Sequence, residues 1–98
     1  MIVVVVEHFL NEDGQRYFPT WIEEIAEVLR DVEGFISIRQ LNDVDDPERC
    51  LLLLRFESID LLRAWADSEA HDRMIDRLSP YQTRKQTSEI FEAAPTHE

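Results

Sequence analysis

Apolar residues occupy consecutive positions from Ile2 to Val6, and this β-branched run, continuing to Phe9, predicts a strand closed by the turn-forming Asn11-Glu12-Asp13-Gly14. Phe18, Trp21, Ile22, Ile25, Leu29 and Val32 then recur at helical spacing, with Glu23, Glu24, Glu27 and Asp31 on the opposite side. A helix from Pro19 to Val32 follows, since proline suits a first helical turn and Gly34 suits a left-handed exit. Phe35 to Leu41 and Cys50 to Phe56 read as a second and third strand, joined through the polar, proline-interrupted stretch Asn42 to Glu48. Ser58 is a candidate N-cap for a helix carrying Ile59, Leu61, Leu62 and Trp65, and Ser68 for a further helical stretch with Met74, Ile75 and Leu78. Pro80 stops that stretch, and Tyr81 to Ala93 has the mostly polar pattern of an edge strand.

The order βαββαβ predicts an α+β ferredoxin-like sandwich, one antiparallel sheet with its helices on one face. Helices cover only that face, yet Ile2 to Val6 and Leu51 to Leu54 send apolar side chains to both. Each such side chain left in water forgoes about 1.5 to 3 kcal/mol. The expected remedy is a homodimer packed sheet on sheet, because no loop is long enough to serve as a cover.

Composition narrows the function. The 98 residues fit a single domain, expected over 1–94 with a flexible tail at 95–98. Twenty-one acidic against ten basic residues give a net charge of −11, which repels nucleic acid and anionic membrane surfaces. The one cysteine, Cys50, rules out an intrachain disulfide and paired-thiolate metal transfer. With no signal-like start and no apolar run long enough to span a bilayer, the expected location is cytoplasmic. The acidic hairpin residues Asp43, Asp45, Asp46 and Glu48 lack the glycine and ligand spacing of a calcium loop, and no metal is expected.

The stretch from Phe56 to His71, with Trp65-x-x-Ser68-x-x-His71 at its end, resembles the antibiotic biosynthesis monooxygenase family of dimeric α+β barrels. The resemblance extends over nearly the whole chain, through Gly14 with Phe18 and Trp21, Glu33-Gly34-Phe35, and Arg55-Phe56-Glu57-Ser58. It implies a homodimer and, in each protomer, a pocket between sheet and helices. It further implies use of molecular oxygen on electron-rich aromatics such as anthrones and quinols, without metal or flavin. Haem-degrading relatives carry an asparagine on the first strand, where this chain has Glu7 and His8, and their helix histidine falls near Ile75. The anthrone-oxidising relatives place an asparagine one turn before the tryptophan, where this chain has Leu61. No haem or other cofactor is expected.

His71 shares a helix face with Met74, Ile75 and Leu78, so it points inward, where an imidazole can deprotonate a phenol or quinol. Its plainer role is to cap a helix or bond to backbone inside the core. Trp65 is the candidate wall of the pocket, with packing alone as its plainer role. Ser68 and His8 are candidate substrate contacts, His8 sharing strand parity with Val4 and Val6 on a face that parity leaves open. Glu7 and Arg55 are further candidate contacts, and their parities allow them to pair with each other on neighbouring central strands. The expected function is a cofactor-independent monooxygenase acting on a small aromatic. The alternative is a catalytically silent dimeric barrel that binds a small molecule or assists another enzyme.

Overall fold

The computed structural model describes residues 1–98. The chain forms β1 (Ile2–Leu10), α1 (Glu12–Leu29), β2 (Phe35–Leu41), β3 (Cys50–Phe56), α2 (Ile59–Ala66), α3 (Glu69–Leu78) and β4 (Gln82–Glu92), with a single 3₁₀ turn at Ser79–Tyr81. The strands make one antiparallel sheet in the order β2-β3-β1-β4. This is the expected α+β ferredoxin-like arrangement, with β1 and β3 paired at the centre and β4 at an edge.

Side-chain alternation sorts the two faces. Ile2, Val4, His8 and Leu10 of β1, with Cys50, Leu52, Leu54 and Phe56 of β3, are buried. They pack beneath Phe18, Trp21, Ile25 and Leu29 of α1, Leu62 and Trp65 of α2, and Met74 and Leu78 of α3. The other parity, Val3, Val5, Leu51 and Leu53, is half-buried on the outer face among Arg39, Arg55 and Glu89.

The first helix begins seven residues before Pro19, and the expected turn at Asn11 to Gly14 is its N-terminus. Asn11 supplies the cap, its side chain accepting from the Gly14 N–H at 2.9 Å, and Glu12 and Asp13 sit where the helix dipole favours acids. Gly14 is there for close approach rather than for a turn. A Cβ on it would lie 2.5 Å from the Tyr81 Cβ and 2.8 Å from the Leu10 Cβ. Pro19 therefore lies inside the helix, and the end falls at Leu29, short of Val32. Gly34 has the expected left-handed backbone, with φ of 85°, where the chain turns into β2.

Candidate active site

Between sheet and helices lies a cavity of about 260 Å³, lined mainly by apolar side chains. Val4, Val6 and His8 of β1 and Leu52 and Leu54 of β3 form its floor. Trp21, Ile25 and Leu29 of α1 form one wall, and Trp65, His71 and Ile75 of α2 and α3 the other. Gln86, Ser88 and Ile90 of β4 line it from the sheet edge, where Ile90 remains half exposed.

Two imidazoles reach this cavity, one from each layer. His8 stands on the helix-facing side of β1 and is 3% exposed. Its ring meets Trp21 edge-on at 5.2 Å and Phe18 at 5.8 Å, and its Nδ1 is sealed without a hydrogen-bond partner. Burial, with a smaller contribution from the nearby His71, pushes its pKa down to about 4, so His8 is neutral at physiological pH. His71 lies in the first turn of α3, its ring perpendicular to Trp65 at 5.4 Å. Its Nδ1 faces the Asp72 carboxylate at 3.4 Å, and the side chain keeps 27% of its surface. It is thus the more accessible of the pair.

The two tryptophans differ in the same way. Trp21 donates its indole N–H to the Met74 carbonyl at 2.8 Å, a buried bond tying α1 to α3. Trp65 is just as buried, but no protein acceptor meets its N–H, and its ring borders the cavity. Ser68 Oγ is engaged in the helix junction: it donates to the Trp65 carbonyl at 2.6 Å and accepts from the His71 N–H at 3.2 Å. The serine holds Trp65 and His71 in their relative places and lies outside the cavity.

His71, Trp65 and His8 are therefore brought together, whereas Glu7 and Arg55 are not. Both project from the outer face, and the expected pair between them does not form. Glu7 stands opposite Leu51 and Arg55 opposite Val3, at opposite ends of the ladder. Each lies near the C-terminal end of its own strand, and antiparallel pairing sends those ends apart. Glu7 instead accepts two hydrogen bonds from Arg49, which lowers its pKa against the opposing effect of burial. Arg55 lies against the Met1 sulfur at 3.2 Å.

Sequence reasoning missed Trp21, Arg63, Gln86 and Ser88 as cavity residues. For β4 a signal existed, since Gln86, Ser88 and Ile90 share one parity. It could be read only once the face of β1 was known.

The antibiotic biosynthesis monooxygenase family model matches residues 1–77, more than three-quarters of the chain. The chain belongs to that family. Among solved structures, an antibiotic biosynthesis monooxygenase superposes with a TM-score of 0.79 at 17% identity, covering 97% of this chain and 100% of that one. SnoaB, a cofactor-independent oxygenase from Streptomyces nogalater, gives 0.77 at 17% identity over 97% of this chain and 95% of its own. A conserved protein from Methanosarcina mazei Go1 gives 0.82 at 17% identity over 95% and 92%. At these identities the structural likeness concerns the fold. No curated protein matches the sequence. No helix of this family member is long and apolar enough to cross a membrane.

Proposed function

We propose that this protein is a cofactor-independent monooxygenase that oxidises a small, electron-rich aromatic, of quinol or anthrone type, in the cavity between sheet and helices. Family membership and the names of the structural neighbours support a monooxygenase-type activity. The observation that carries the substrate class is the cavity itself, an apolar space bordered by Trp21 and Trp65 with an imidazole on each side. Its volume of about 260 Å³ lies just under the lower bound of ~300 Å³ for drug-sized pockets, which favours a compact aromatic.

His71 is the base. It removes a proton from the substrate hydroxyl or from the acidic ring position, leaving an electron-rich anion that reacts with oxygen. Overall, the reacting carbon becomes a carbonyl. The substrate loses two hydrogens and gains one oxygen atom from O₂, and the other oxygen atom leaves as water with those two hydrogens. No outside reductant is consumed. Trp65 confines the ring and offers its unpartnered N–H to a substrate oxygen.

Oxygen uptake with a panel of anthrones, quinols and catechols tests this reading. Uptake that is lost in His71→Ala supports it, and absence of uptake with every compound returns the protein to the silent-barrel reading.

The same reading includes a homodimer. The outer sheet face presents Val3, Val5, Leu51 and Leu53, with a half-exposed Phe91 paired to Val3, and a second copy packed sheet on sheet removes this apolar surface from water.

A further inference from the structure

We propose that His8 donates its Nε2–H to the substrate oxygen and holds the negative charge that forms there when the proton leaves for His71. This rests on the reading of the cavity given above and adds a second functional group to it.

The first ground is the state of the two ring nitrogens. Nδ1 is sealed and meets no partner, whereas Nε2, equally without a partner in the protein, is not sealed. A neutral imidazole carries one N–H and one lone pair. Buried N–H groups without an acceptor are rarer than buried acceptors without a donor, which favours the proton on Nε2. That tautomer places a donor on the unsealed nitrogen of a side chain that lines the cavity.

The second ground is position. The ring packs against both Trp21 and Phe18, which stack on each other, near the end of the central strand β1, and it lines the cavity floor. His71 comes from the opposite layer, so a flat ligand between them meets the base on one side and the donor on the other. Apart from the indole N–H of Trp65, the other lining side chains able to donate are Arg63 of α2 and Gln86 and Ser88 of the edge strand. Burial that keeps the ring neutral also keeps it from competing with His71 for the substrate proton. The class of substrate follows: an aromatic whose reacting ring bears an oxygen that becomes anionic, rather than a hydrocarbon ring.

The test uses the full chain with 2-naphthol and naphthalene as probes. Nitrogen-15 spectra at neutral pH are expected to show His8 as the Nε2–H tautomer, with the Nε2 resonance moving on saturation with 2-naphthol. Binding of 2-naphthol is expected to exceed that of naphthalene by at least about tenfold, the worth of the His8 hydrogen bond alone. In His8→Phe that margin narrows while naphthalene still binds, since Trp65 and His71 keep their own contacts to the hydroxyl. An Nδ1–H tautomer, a cationic ring at neutral pH, an unmoved Nε2 resonance or a margin as wide in His8→Phe as in the wild type overturns the inference. Since the tautomer is read on the unaltered protein, a variant that fails to fold does not protect it. Oxygen uptake that persists alongside any of these results leaves the monooxygenase reading standing and removes only the role of His8. Failure of both probes to bind, with no uptake, removes both.

Discussion

Arg49 grips the Glu7 carboxylate through two hydrogen bonds, Nη2 to Oε1 at 2.8 Å and Nε to Oε2 at 3.0 Å, while its other terminal nitrogen holds Asp43 at 2.7 Å. One guanidinium thus ties the end of β1 to the β2–β3 connection, outside the cavity. A double-mutant cycle on Glu7 and Arg49 is expected to show coupling, and the same cycle on Glu7 and Arg55 to be additive, because their positions on the ladder are far apart. The Glu7 carboxyl is held below its ordinary value of 4.5, chiefly by Arg49. The folded state therefore binds this proton less readily than the unfolded state, and the contribution is complete above pH 4.5 and lost as pH falls through the lowered value. Coupling that survives in acid, or that resists added salt, would contradict this account.

His8 makes a second pH-dependent contribution, of the opposite kind of group. Unfolded, its imidazole takes a proton near pH 6.5, and folded only near 4. Between those values the unfolded state holds more protons, so stability rises with pH across the window and is complete above 6.5. The shift corresponds to about 3 kcal/mol. Urea unfolding of the wild type and His8→Leu at intervals from pH 7 to 4 measures it. The wild-type curve is expected to fall more steeply by about this amount, and parallel curves would show that His8 titrates normally.

Gly14→Ala separates helix propensity from packing. Alanine is the better helix former by about 1 kcal/mol, yet its Cβ meets those of Tyr81 and Leu10 well inside contact distance. Both are Cβ atoms fixed to backbone, so α1 itself has to move away from β1 and the 3₁₀ turn. Net destabilisation by about 1 to 3 kcal/mol is expected in chemical denaturation, despite the gain in propensity. A stabilised variant would show that the helix can shift freely.

Adjacent leucines on β3 are expected to respond differently to the same change. Leu52 is 3% exposed under the helices, so Leu52→Lys buries an unpaired ammonium in the core and leaves little folded protein. Leu53 lies on the outer face, where Leu53→Lys keeps the fold and halves the mass seen by light scattering. A monomeric wild type, or a dimeric Leu53→Lys protein, would remove the proposed sheet-on-sheet partner.

Much of this molecule follows from local pattern. Strand and helix order, the caps at Ser58 and Ser68 and the left-handed Gly34 each rest on residues close together in the chain, where alternation, helical spacing and capping chemistry act directly, whereas the central pairing of β1 with β3 joins residues far apart in the chain and follows from the order of the elements. The same local chemistry also misled. Pro19 looks like a helix start because proline fits a first turn, but Asn11 offers a side-chain cap earlier, and packing of Gly14 against Tyr81 and Leu10 holds the added turns in place. Parity along β1 divides Glu7 from His8 and leaves open which of them enters the core. The covering helices decide it, as Trp21 and Phe18 meet the His8 ring and leave Glu7 to a distant arginine. The cavity likewise needs four strands and three helices in place before His8, His71, Trp65 and the β4 side chains share one space. Sequence determines which face each residue can occupy relative to its neighbours. Only the packing of one layer on another gives that face a side, because burial is a property of two surfaces rather than one.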